Sequence, residues 1–134
     1  MDPVYKIAKS GEKLGLFFGK DFFLSNFHNV EFVKDGHQFY SSEQYYQYKK
    51  AVAANQMCIA NQILKSKSAP LAKSLTKHMK MSKEWQEGGK IQAMAEAIYL
   101  KFSQNENLKT KLLNTGDAFL VDVIHLKKAL FVKD

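Results

Sequence analysis

The stretch that decides the fold is Lys34-Asp35-Gly36-His37-Gln38-Phe39-Tyr40-Ser41-Ser42-Glu43-Gln44-Tyr45-Tyr46-Gln47-Tyr48-Lys49-Lys50. Its first half alternates apolar and polar residues around Asp35-Gly36. That pair between strand-like runs (29–34 and 37–40) predicts a hairpin with a type I′ turn. Its second half changes period. Ser41 reads as an N-cap with Gln44 three residues on, a capping box. Glu43 falls in the first turn, where the helix dipole favours a carboxylate. A helix is therefore predicted from Ser41 to about Asn55. A strand pair that feeds straight into a helix points to a mixed fold.

Reading downstream, a second helix is expected from about Met57 to Lys65. Ser68-Ala69-Pro70 opens a third, since proline is tolerated in a first turn. Ser82 caps a longer one, whose stripe Ile91, Met94, Ala95, Ile98 and Phe102 has helical spacing and is expected to face the core. Leu108, Leu112 and Leu113 mark a last helix, stopped near Gly116. Residues 118–123 and 129–132 read as closing strands. Upstream, Gly15-Leu16-Phe17-Phe18-Gly19 is a short apolar run among strands and loops. The order strands, helices, strands predicts an α+β fold, helix-rich, with short strands at both ends. No internal repeat or linker interrupts it, so 1–134 is read as a single domain.

Composition narrows the class. The chain has 134 residues, 46% of them hydrophobic, with 10 Phe, 6 Tyr and 1 Trp, too aromatic for a disordered tail. Its 20 basic and 13 acidic residues give a net charge of +7. Every basic residue is lysine. Arginine is the usual bidentate reader of guanine and phosphate, so its absence argues against a sequence-specific DNA reader. Lysine still attracts phosphate as a point charge, which leaves non-specific contact with nucleic acid or nucleotides. One cysteine, Cys58, cannot form an internal bridge and favours a reducing compartment. It sits in Met57-Cys58-Ile59-Ala60 and is expected to pack against apolar neighbours. No apolar run approaches the ~20 residues of a membrane span, and residues 1–10 hold no signal-peptide core. A soluble cytoplasmic location is the expectation, with no membrane partner.

Three places carry chemistry. Glu43, Gln47 and Lys50, spaced i, i+4 and i+7, share one helical line, with Tyr46 at its border and Tyr45 nearly opposite. The carboxylate could stabilise positive charge or activate water, the amide hold a hydroxyl, and the amine pair a phosphate or attack a sugar carbon. An exposed Glu–Gln–Lys face with purely local pairing is the competing reading. Trp85, the single tryptophan, projects about 120° from the Ile91/Ile98/Phe102 stripe and shares a face with Gln92 and Glu96. An indole off the core could stack on a base, or pack against the 68–80 helix. Gly88-Gly89 follows, able to bend the helix or let a ligand near its backbone. The loop 21–27, Asp-Phe-Phe-Leu-Ser-Asn-Phe, mixes aromatics with small polar groups that could wall a pocket. The four histidines have no metal-ligand spacing, and phosphate-binding or dinucleotide-binding glycine motifs are missing.

In order, these segments resemble the NADAR superfamily, the YbiA-like proteins. The matching pieces are Phe23-Leu24-Ser25-Asn26-Phe27, then Asp35-Gly36 with Phe39-Tyr40, then Ser42-Glu43-Gln44-Tyr45-Tyr46-Gln47 with Lys50-Ala51. Ala69-Pro70 with Ala72-Lys73 follows, then Trp85 with Lys90 and Met94, then Lys101-Phe102. Leu112-Leu113 and Thr115-Gly116-Asp117 lead into Leu120-Val121-Asp122. Members of the family usually read Leu-Val-Glu at that last piece, and Gly-Arg where this chain has Thr76-Lys77. The resemblance implies an α+β fold and a hydrolase that cleaves ribose–nitrogen bonds. Its substrate classes are ADP-ribose attached to guanine bases or related groups, and phosphorylated riboflavin-pathway intermediates. It maps the pocket glutamate onto Glu43, the pocket lysine onto Lys50, the pocket asparagine onto Asn26 and the ring-stacking tryptophan onto Trp85. Glu43 and Lys50 are the implied catalytic pair, and Asn26, Phe27, Tyr45, Gln47, Trp85 and Asp122 the implied substrate contacts, with no metal or cofactor. A non-catalytic module that binds ADP-ribose or nucleic acid on the same fold is the alternative.

Overall fold

The computed structural model describes residues 2–17, 19 and 22–122. These fall into two compact units, one of the described residues up to 28 with 106–122 and one of residues 29–105. Five α-helices and two small sheets among the described residues make the fold α+β. The expected strand at 129–132 lies outside the described residues.

In the first unit, β1 (Val4–Ile7) pairs antiparallel with β2 (Lys13–Phe17), and β2 pairs in parallel with β5 (Phe119–Asp122). The β2–β5 register sets Leu14 against Phe119 and Phe17 against Asp122. A parallel pair cannot close through a tight turn, so the whole intervening chain serves as the crossover. Gly15 permits the approach, because a Cβ there would lie 2.9 Å from Leu120 Cδ2. Phe17, Phe22 and Phe23 are buried together, with ring centroids 5.7 and 5.6 Å apart in succession. Helix α5 (Glu106–Leu113) belongs to this unit, and Lys111 Nζ stands 5.8 Å from the Phe23 ring centre. Gly116, with φ of 60°, follows the helix end as the sequence predicts.

In the second unit, β3 (Phe32–Lys34) and β4 (His37–Phe39) form the predicted hairpin. Asp35 and Gly36 have φ of 52° and 80°, the two positive values a type I′ turn requires. Helix α1 (Ser42–Ala53) starts where expected: the Gln44 amide donates to Ser41 Oγ at 3.0 Å. The Gln44 side chain ties three segments together. It accepts from the Tyr40 amide at 2.7 Å and donates to the Ile63 and Ser66 carbonyls at 2.9 and 2.6 Å. Gln44 is fully buried, so these bonds meet its polar atoms where water does not. Helices α2 (Met57–Lys65) and α3 (Ala69–Thr76) follow, the latter capped by Ser68 with Pro70 in its first turn. Buried Ala51, Ala60 and Ala72 around Ile63 let α1, α2 and α3 approach closely.

A π-helical turn (Trp85–Gly89) leads into α4 (Lys90–Ser103). The core face of α4 corrects the sequence expectation. Ile91 and Ile98 are 68% and 39% exposed, whereas Ala93, Ala97, Leu100, Lys101 and Phe102 are buried. The reason is packing. The second core holds Phe32, Phe39 and Tyr45, and α4 meets them with Ala97 and Leu100, with Met94 packed alongside, so the face one step round from Ile91 and Ile98 turns inward. Gln104 then clamps the β3 edge, accepting from the Val33 amide and donating to its carbonyl, both at 2.8 Å. That occupies an edge otherwise open to strand addition. Cys58 is also corrected: it is exposed, because α2 turns its Ala60/Ile63 face inward. Among the described residues, no helix is long and apolar enough to cross a membrane.

Candidate functional site

The Glu43, Gln47, Lys50 line is not a solvated helix face. Glu43 and Gln47 are 7% and 4% exposed. Gln47 Nε2 donates to Glu43 Oε1 at 2.8 Å, one helical turn away. The buried Thr76 hydroxyl, from the end of α3, donates to Gln47 Oε1. Lys50 Nζ donates to the Thr76 carbonyl at 3.4 Å. Acid, amide, hydroxyl and amine thus form one chain across α1 and α3. Gln47 spends its donor on the carboxylate and its acceptor on the threonine, so its amide orientation is fixed from both ends. Glu43 also keeps the helix N-terminus as a partner for its charge.

Tyr46 links this network to the tryptophan. Burial, and then the Glu43 charge, pushes its phenol above the ordinary tyrosine value. Its ring centroid lies 5.7 Å from that of Trp85. Trp85 is buried at 6% exposure, and its amide donates to Ser82 Oγ at 3.2 Å. Gly89 leaves room for the indole, since a Cβ there would stand 3.2 Å from Trp85 Cε3.

Trp85 walls a cavity of about 350 Å³ between α1 and α4. Val52, Ala53, Gly89 and Ala93 supply its apolar sides, and Lys49, Gln92 and Glu96 its polar groups. The face shared by Trp85, Gln92 and Glu96 is the one the helical projection gives. Glu43, Gln47 and Lys50 do not line this cavity. Tyr45 sits in the aromatic core at 2% exposure, its ring edge-on to Phe39 and Phe32 at 4.9 and 6.0 Å. Only its hydroxyl reaches toward the cavity, donating to Glu96 Oε1. Burial and that carboxylate raise the Tyr45 phenol far above its ordinary value, so it stays a donor at neutral pH.

Asn26 and Phe27 lie in the half-buried turn of the first unit, where the Phe27 amide donates to Ser25 Oγ at 3.1 Å. Asp122 is the last residue of β5. Thr76, Lys49 and Glu96 were not singled out as site residues from the sequence. Glu96 carried a signal, its shared face with Trp85. Thr76 carried one as well, the Thr76-Lys77 that stands where the family reads Gly-Arg, whereas Lys49, one lysine among twenty, carried none. Among the described residues no three His, Cys, Asp or Glu side chains are grouped to hold a metal ion.

The comparisons agree with this architecture. The NADAR domain model matches residues 16–126. The structure is similar to that of Escherichia coli YbiA, solved by NMR, with a TM-score of 0.71 and 26% identity. That likeness covers 81% of this chain and 66% of YbiA. The protein irg-1 of Caenorhabditis elegans is 38% identical over 89 residues, 63% of this chain and 42% of the nematode protein. The chain therefore spans under half of that relative and about two-thirds of YbiA. This α+β fold is that of the YbiA-like class. The chain belongs to the NADAR family, which is associated with glycosidase activity.

Proposed function

We propose that this protein is an N-glycosidase that hydrolyses the ribose–nitrogen bond of an ADP-ribosylated nucleobase or a related nucleotide. One observation carries the reading. Glu43 is a buried carboxylate held by Gln47, which Thr76 holds in turn; Lys50 donates to the Thr76 carbonyl, and the Tyr46 phenol that feels the Glu43 charge has its ring against Trp85.

The chemistry suits such a group. As the C1′–N bond breaks, its electron pair leaves with the nitrogen, which takes up a proton. Positive charge builds on the ribose ring. A fixed carboxylate stabilises that charge without having to reorganise, and is worth more where water is excluded. Water then adds to C1′ and gives up a proton, with Glu43 the nearby acceptor. Lys50 supplies a cation for a substrate phosphate, or an amine for transient attachment to the opened sugar. Trp85 offers a ring face to the base.

The test is product analysis after incubation with ADP-ribosylated guanosine, free NAD and a phosphorylated riboflavin-pathway intermediate. Release of free base or free ADP-ribose is expected from one of these. Glu43→Gln keeps the acceptor for Gln47 and so the fold, and should lower turnover by about a hundredfold or more. Wild-type turnover in that variant removes Glu43 from the chemistry. A binding module without catalysis is favoured by one feature, the Trp85 cavity whose lining omits Glu43 and Lys50. That reading predicts a thermal shift with ADP-ribose and no product.

A further inference from the structure

We infer that Thr76, at the end of α3, is a positioning residue for the chemistry at Glu43: its hydroxyl fixes the Gln47 amide, which decides which oxygen of the carboxylate is left to work. The inference rests on the functional reading above and adds to it a residue that acts on the acid only through another side chain.

The inventory of donors and acceptors argues the point. An amide has two ends of opposite polarity, and an ionised carboxylate only accepts. Glu43 Oε1 takes a hydrogen bond from Gln47 Nε2 at 2.8 Å, so the Gln47 amide oxygen points away from the acid. That side chain is buried, and its oxygen needs a donor where water does not reach. The donor is the Thr76 hydroxyl. The same hydroxyl lies 3.3 Å from the Lys73 carbonyl, the local bond that a threonine in a last helical turn makes by itself. A hydroxyl has one proton to give, and its contact with Gln47 is the shorter of the two. With that proton on Gln47 Oε1, inverting the amide would set its oxygen against the carboxylate and its N–H groups against the hydroxyl proton. Oε1 of Glu43 is thereby occupied. The other carboxylate oxygen is the one left to face positive charge on a ribose ring or to take a proton from water.

The backbone of the same residue serves the amine. Lys50 Nζ donates to the Thr76 carbonyl at 3.4 Å, at the C-terminal end of α3, where the helix dipole favours a cation. Thr76 thus reaches Glu43 by its side chain and Lys50 by its main chain, and only the first arm is lost on removing the hydroxyl. The family usually reads Gly-Arg where this chain has Thr76-Lys77, so the hydroxyl is a feature of this chain.

Two substitutions separate the hydroxyl from the shape of the side chain. Thr76→Val keeps the shape and removes the hydroxyl, whereas Thr76→Ser keeps the hydroxyl and removes a methyl group. Steady-state turnover is measured on ADP-ribosylated guanosine, or on whichever of the three compounds above the wild-type protein cleaves. The NMR order parameter of the Gln47 side-chain amide is measured alongside. Thr76→Val should lower kcat by about tenfold or more at unchanged KM, and Thr76→Ser should stay within about twofold of wild type. The order parameter should be about 0.8 in wild type and Thr76→Ser and fall below about 0.6 in Thr76→Val. A threonine that only packs gives the reverse ranking, with Thr76→Ser the weaker variant, and that ranking overturns the inference. Wild-type kcat in Thr76→Val overturns it as well. A mobile Gln47 amide in the wild-type protein does so without any variant having to fold. The two proposals fail separately. Turnover in the wild type with undiminished kcat in Thr76→Val sinks only the positioning role, and a Gln47 amide ordered by Thr76 in a protein that cleaves none of the compounds sinks only the catalytic reading.

Discussion

At the scale of single residues, burial of polar groups organises the second unit. Gln44, Gln47 and Thr76 are all buried, and each has its hydrogen bonds met by a different element. Lys101 shows the cost of burying a charge. It is 1% exposed, and desolvation pushes its amine down to about 8 from 10.5. Below pH 8 both folded and unfolded chains carry the proton, and the folded state bears the net cost of burying it beside the Phe102 ring. Between about 8 and 10.5 the folded chain sheds the proton while the unfolded chain keeps it. Stability therefore climbs with pH across that window, by on the order of 3 kcal/mol. Lys101→Met should remove this climb and raise stability at pH 7. Urea unfolding of both proteins at pH 7 and pH 10 measures it, and an unchanged difference between the two pH values would refute the assignment.

At the scale of elements, the π-helical turn before α4 is the feature nearest the candidate site. It holds two adjacent glycines with different surroundings. A Cβ on Gly88 would meet nothing within 4 Å, whereas one on Gly89 would press on the Trp85 ring. Gly88→Ala should therefore stabilise the protein by up to about 1 kcal/mol through helix propensity. Gly89→Ala should lose that gain to displacement of the indole, with a shift in Trp85 emission. Thermal melts and emission spectra of the pair decide it. Equal stabilisation with identical spectra would mean that Gly89 has no role in seating the ring. The core face of α4 teaches a related lesson. Apolar weight put Ile91 and Ile98 inside, but an inward face is set by which residues meet Phe32, Phe39 and Tyr45.

At the scale of the whole molecule, charge is the dominant property. Twenty lysines and a net charge of +7, with no arginine, favour attraction to phosphate without base reading. Association with a labelled single-stranded oligonucleotide should appear at low salt and fall linearly in log K against log salt. Fluorescence anisotropy at several salt concentrations measures the slope. Binding that persists unchanged at high salt would point to base recognition in place of charge.

Much of the second unit could be read along the chain, because its signals are local. Asp35-Gly36 must turn with two positive φ values, and Ser41 with Gln44 must start a helix. Ser68 with Pro70 must start another. The line of Glu43, Gln47 and Lys50 follows from helical periodicity alone. Its burial does not, since that depends on Thr76, which reaches it only when α3 lies against α1. The core face of α4, the exposure of Cys58, the Glu96–Tyr45 bond and the parallel pairing of β2 with β5 likewise join residues far apart in sequence. Periodicity tells which side chains share a face. Which face is covered, and by what, is settled by the volumes and hydrogen bonds of elements that meet only after folding.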